Sequence, residues 1–120
     1  MLDARKQEVY ASLYNWEAGY PHAVTEERVI KPEGLLAGIA GETLFVGNGA
    51  LAYRSLIVRQ LAERAHFAPA FLNLPRAGAA AALALHEWDA GRTFSAEDLM
   101  PLYLRPSEAE LNWRPSKNSC

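Results

Sequence analysis

Cysteine is nearly absent from this 120-residue chain: Cys120, the last residue, is its single thiol. One thiol cannot close an internal disulfide. That excludes the small secreted scaffolds held by such bridges and suits a reducing compartment. Long apolar runs are also lacking. The longest, Ala77 to Leu85, is too short to span a bilayer, and Met1-Leu2-Asp3-Ala4-Arg5 carries no signal-peptide core. The expectation is a cytoplasmic protein. Positive charge is not in excess either, with 12 Lys and Arg against 14 Asp and Glu. Nucleic-acid binders neutralise phosphate with a basic patch, and no run of Lys and Arg occurs, so direct nucleic-acid binding is not expected.

Chemistry-bearing constellations are equally sparse. His22, His66 and His86 fall in different predicted elements, and none has a second His or Cys at ligand spacing. His86-Glu87 opens like a zinc-protease helix, but position 90 is Ala, so a second ligand is lacking. There is no Gly-x-Ser-x-Gly elbow, and no base is predicted near Cys120. Glu26-Glu27 and Glu108/Glu110 sit in solvated stretches. Asp3 and Glu8 flank the first predicted strand together with Arg5, where a surface ion pair is the plain reading. No catalytic residue and no metal ligand set is therefore expected.

What the chain does contain is an ordinary globular composition, half apolar and 22% charged, enough for one core. Glu8 to Trp16 alternates imperfectly and is rich in aromatics, which predicts a strand with Val9, Leu13 or Tyr14 inward. Gly19-Tyr20-Pro21 predicts a turn. Ala23 to Ile30 is then a second extended run, antiparallel to the first. Pro32 suits the first turn of a helix to about Ala40, with Leu35, Leu36 and Ile39 facing the core and Gly41 ending it. Thr43 to Val46 reads as a strand buried on both faces. From Leu51 to Ala65 a helix is predicted, with Tyr53, Ile57 and Leu61 on its inner face.

Pro69 and Pro75 bracket a stretch that cannot be one regular helix. Arg76 to Trp88 predicts a central helix, apolar nearly all round, with Gly91 as its cap. Ser95-Ala96-Glu97-Asp98 is close to a capping box and predicts a short helical turn. Pro101 to Pro106 is extended, and positions 111–120 read as a flexible tail. The order of elements predicts an α/β fold with a mixed sheet and packed helices. Because the first strand starts within a few residues of Met1, a preceding piece is expected to have been removed.

One loop invites a ligand. Gly47-Asn48-Gly49-Ala50 lies between a predicted strand and a predicted helix, where glycines let backbone N–H groups approach an anion. It lacks the third glycine and the acidic partner of a dinucleotide fingerprint, and the Lys of a P-loop. A tight strand-to-helix turn explains it without a ligand and is the preferred reading.

Three segments together resemble the carboxy-terminal half of the TsaB (YeaZ) family. Asp3-Ala4-Arg5-Lys6-Gln7-Glu8-Val9-Tyr10 resembles that family's entry to its second half. Gly47-Asn48-Gly49-Ala50, with Tyr53 beyond, resembles its glycine turn, and Pro101-Leu102-Tyr103-Leu104-Arg105 its closing motif. The resemblance covers about residues 3 to 110. It implies one lobe, residues 1–110, of an actin-like, Hsp70-like (RNase H-like) ATPase fold, with the amino-terminal lobe absent. It also implies a non-catalytic scaffold partner of TsaD, with TsaE, in threonylcarbamoyladenosine modification of tRNA. No cofactor is expected in this chain; ATP or ADP would belong to the TsaD/TsaE assembly. A TsaB homodimer would form through the other lobe, and Gly47 to Ala50 would be a vestigial turn near a nucleotide. The alternatives are a nucleotide-binding enzyme of the same superfamily and a glycoprotease-like peptidase.

Overall fold

Ala18 and Gly19 take φ of 50° and 87° and make the two-residue turn of a hairpin between β3 (Tyr14–Glu17) and β4 (Tyr20–Ala23). Positive φ at both central positions matches the turn to the twist of the paired strands. The turn therefore falls one residue earlier than Gly19-Tyr20-Pro21, and Tyr20 and Pro21 belong to β4. The computed structural model describes residues 1–106, a mixed α/β fold.

Both predicted long strands are divided. Leu13 N–H donates to Thr25 Oγ1 at 3.0 Å, Val24 N–H donates to the Leu13 carbonyl at 2.7 Å, and the Ser12 hydroxyl donates to the Thr25 carbonyl. This knot separates the hairpin from β2 (Val9–Ala11) and β5 (Arg28–Ile30), which pair antiparallel with Val9 opposite Ile30. The antiparallel pairing holds in both halves. Of the three residues read as inward, Val9 is fully buried, Leu13 is half-buried and Tyr14 is exposed. A further short strand, β1 (Leu2–Asp3), pairs antiparallel with β2.

Pro32 starts α1 (Pro32–Ala37), and Leu35, Leu36 and Ile39 are buried as their spacing requires. The helix stops at Gly38 rather than Gly41. The free carbonyls of Ile39 and Ala40 are taken by the Arg64 guanidinium at 3.3 and 2.9 Å, so no further turn is needed to satisfy them. Next comes β6 (Thr43–Phe45), parallel to β7 (Ala65–Phe67). Only Phe45 of β6 is buried, and Leu44 is 60% exposed. The expectation of burial on both faces fails because, among the described residues, this sheet has two strands and Leu44 is left exposed.

The predicted helix from Leu51 to Ala65 is two helices, α2 (Asn48–Ala52) and α3 (Arg54–Leu61), meeting at Tyr53. Ile57 and Leu61 are buried and Tyr53 is half-buried, so the inner face is as read. A 3-10 turn, Ala62–Arg64, follows, and Ala65 is already in β7. Leu36, Ile39, Phe45, Ala50, Ile57 and Leu61 form the main core; Val9, Ala11 and Leu35 form a smaller one. Met1 and Tyr53 pack against both.

The expected single mixed sheet is instead distributed over β1-β2-β5, β3-β4 and β6-β7. A hydrogen bond of 2.8 Å from the Met1 nitrogen to the Val46 carbonyl sets β1 beside the end of β6. Between Pro69 and Pro75 there is a 3-10 turn, Ala70–Leu72, and no α-helix. The last helix, α4 (Ala77–Asp89), forms where expected but is not central. None of its residues is buried, and Leu85 is 64% and Trp88 69% exposed. Small apolar side chains allow close packing but do not supply a neighbour. Among the described residues its ring contact is His86 stacked on Tyr20, with centroids 3.7 Å apart.

Gly91 closes α4 at φ 73°, its N–H donating to Trp88 O. Ser95 Oγ donates to Asp98 Oδ2 at 2.6 Å and accepts from Asp98 N–H at 3.2 Å, but the box caps a turn and no helix follows. Residues 101–106 form no strand. Among the described residues no helix is long and apolar enough to cross a membrane. The tail read over 111–120, with Cys120, lies outside the described residues, as do Glu108 and Glu110.

Ile57→Ala is expected to lower unfolding stability by about 2–5 kcal/mol, as loss of a buried aliphatic side chain does. Leu85→Ala is expected to change it by less than about 0.5 kcal/mol, the usual range at an exposed site. Urea denaturation of both variants checks this ranking, which is the reverse of what a central α4 requires.

Candidate functional site

The residues singled out by the sequence converge on β1. Gly47 takes φ 106°, and a Cβ built on it would lie 2.1 Å from the Met1 carbonyl oxygen. A Cβ on Gly49 would lie 2.8 Å from Leu2 C and 3.0 Å from Asp3 N. Glycine is needed at 47 for both conformation and space, and at 49 for space alone. The room that these glycines leave is taken by the chain's own backbone. Of the two, only Gly47 has a positive φ.

Two asparagines fasten this crossing. Asn48 Oδ1 accepts from Asp3 N–H at 3.0 Å. Asn73 Oδ1 accepts from Gly47 N–H at 2.7 Å, while its amide nitrogen donates to the carbonyls of Ala68 and Pro69. Asn73 is only 4% exposed, so each of these bonds offsets a desolvated polar group. Sequence reading did not single it out. Its one signal is a polar residue between Leu72 and Leu74 in a stretch that cannot be helical.

On the far side of β1 the chain reverses through Arg5, Lys6 and Gln7, all left-handed at φ of 61°, 50° and 61°. Such a conformation costs on the order of 1–3 kcal/mol at each non-glycine residue. Local bonds hold it: Ala4 N–H to Glu8 O at 3.0 Å, Glu8 N–H to Arg5 O at 2.9 Å, and Arg5 N–H to Asp3 Oδ1 at 2.9 Å. Asp3 and Arg5 make an ion pair at 3.7 Å whose arginine is largely in solvent, the plain surface pair expected of them. Glu8 does something else. Arg105 reaches it from the other end of the described chain, pairing with its carboxylate and donating to the Ala4 carbonyl at 2.8 Å. Both side chains are partly shielded, which makes this clasp stronger than the Asp3–Arg5 pair.

The other motif residues divide by burial. Ala4 and Val9 are buried, and Tyr53 lies between the two cores. Tyr10, Leu104 and Arg105 are half-buried around a cavity of about 400 Å³, while Pro101 and Tyr103 are exposed. A larger cleft of about 760 Å³ shares Met1, Leu2, Ser12 and Tyr14 with this cavity and is lined also by Leu13, Trp16, Leu44 and Val46. Its surface is mostly apolar. The Met1 α-amino group belongs to a lining residue, and burial holds its pKa below the ordinary value.

The histidines stay apart, His22 in β4, His66 in β7 and His86 in α4. His66 lies 3.7 Å from Glu42, an exposed pair. Among the described residues, no three His, Cys, Asp or Glu side chains gather in a way that would hold a metal ion. No protein-family model matches the chain, and no curated protein matches it.

Gly49→Ala is expected to cost about 1–3 kcal/mol through backbone overlap with Leu2 and Asp3. Gly41→Ala, where a Cβ meets nothing within 4 Å, serves as the near-neutral control. Arg105→Ala is expected to cost about 1.5–3 kcal/mol, the range for hydrogen bonds to charged groups. It should also speed tryptic cleavage at Arg92, which lies between α4 and the clasp. Melting midpoints and timed digestion check these outcomes.

Proposed function

We propose that this chain is one lobe of a TsaB-type protein, of the actin-like, RNase H-like class, acting as a non-catalytic scaffold partner of TsaD. One observation carries the reading. The three segments that resemble the family are fastened to one another, Asp3 to Asn48 and Ala4 and Glu8 to Arg105. These contacts give the three segments a structural role in one frame, without requiring a ligand. The glycines of the 47–50 turn support the same reading, since β1 fills the space beside them. A mixed α/β fold suits a lobe of that superfamily. The exposed apolar side chains of α4 suit a protein that works in an assembly.

Under this reading the substrate and nucleotide chemistry belong to TsaD and TsaE, and the family's principal pairing surface for TsaD lies mostly in the other lobe. Co-purification with TsaD and TsaE tests it, together with reconstituted tRNA modification using the chain joined to an amino-terminal lobe. The expected outcome is retention of TsaD and restored modification by the joined protein. Failure of the joined protein in both assays would refute the scaffold role. Submillimolar ATP binding by the chain alone, measured by calorimetry, would move the reading to a nucleotide-binding enzyme.

A further inference from the structure

Helix α4 has one side toward the body of the protein and one side in solvent. His86 stacks on Tyr20 of β4, and His86 and Glu87 are the partly shielded residues of the helix. Leu83, on the same side, is 44% exposed, against 64% for Leu85 and 69% for Trp88. Gly78, Ala81, Leu85 and Trp88 recur at steps of three, four and three, so they form one stripe, turned away from β4.

The sizes along this stripe are ordered. Its amino-terminal half is small, Gly78 and Ala81, and its carboxy-terminal half is large, Leu85 and Trp88. A second copy running parallel would set Gly beside Gly and Trp beside Trp, leaving a gap at one end and crowding at the other. An antiparallel copy, related by a two-fold axis at position 83, sets Trp88 against Gly78 and Leu85 against Ala81. The axis repeats both pairs on its other side. Every layer then joins one large and one small side chain, the condition for facing helices to interdigitate.

Charge selects the same arrangement. Arg76 stands at the amino-terminal end of α4 and Asp89 at its carboxy-terminal end, each of the sign that its own helix dipole opposes. Among the described residues neither has an oppositely charged partner. Arg76 donates to the Phe71 carbonyl at 2.7 Å, and the neighbouring Glu87 is taken by Arg92 at 2.8 Å. In the register centred on position 83, Arg76 of one copy falls within one residue of Asp89 of the other, at both ends of the pair. Each charge then also meets the helix end that favours it.

We propose that α4 is a self-recognition surface, on which a second copy of this chain docks its own α4 antiparallel, covering Leu85 and Trp88 with Ala81 and Gly78. Thirteen helical residues are about 20 Å long, which puts the contact at the low end of specific interfaces. The dimer is therefore reversible and concentration-dependent. The inference uses only the surface of α4 and is independent of the functional reading.

Sedimentation velocity over a concentration series of the full 120-residue chain tests it. The parent chain is expected to show a monomer–dimer equilibrium, and Leu85→Glu to remain monomeric throughout. Arg76→Asp and Asp89→Arg each place like charges across the axis at both ends. Each should raise the dissociation constant by about ten-fold, and the double variant, with opposite charges restored, should return to within about three-fold of the parent. A parallel contact predicts no such recovery. All three positions are exposed, so the variants should fold, which circular dichroism checks. A parent chain that stays monomeric to about 1 mM would overturn the proposal. So would a dimer that Leu85→Glu leaves intact, a double variant no better than the single ones, or association beyond two copies.

Discussion

The fold depends on one close crossing of backbones, β1 over the turn that follows β6. A two-residue strand contributes little pairing of its own, yet here it meets β2 on one side and Gly47 and Gly49 on the other. Its carbonyl and amide groups stand where side chains would otherwise be. Everything next to it is then positioned in sequence: Asn48 and Asn73 tie the turn, Ala50 drops into the core, and Tyr53 begins the helix that carries Ile57. Backbone packed on backbone tolerates no added carbon, so this contact transmits position more strictly than side-chain packing does.

Legibility in the sequence followed the range of the forces involved. The entry of α1 at Pro32 and the stop at Gly91 come from single-residue conformational limits, and both were readable. The inner face formed by Tyr53, Ile57 and Leu61 was readable because helical periodicity survives the change of helix at Tyr53. By contrast, the division of the first two strands is made by Ser12 and Thr25, thirteen residues apart, and no local pattern announces it. Strand β7 is three residues long, too short for alternation to show. The candidate site was half legible. Its glycines and the Asp3 to Tyr10 segment stood out, but the use of Glu8 by Arg105 spans 97 positions and the role of Asn73 is visible only in three dimensions.

Helix α4 separates two meanings of hydrophobicity. Alanine forms helix readily because it loses almost no side-chain freedom, so the run Ala79 to Ala82 supports α4 with little help from burial. Composition therefore determines that the segment is helical and that its surface is apolar. It leaves open what lies against that surface. A capacity for close packing does not supply a neighbour, and α4 stands outside the core.

The clasp between Arg105 and the first turn has a topological consequence. Arg105 bonded to Ala4 and Glu8 closes the described chain into one ring that contains every strand and helix after β1. A ring of that length costs only about 0.6 kcal/mol more to close than one half as long, so a single shielded ion pair can hold it shut.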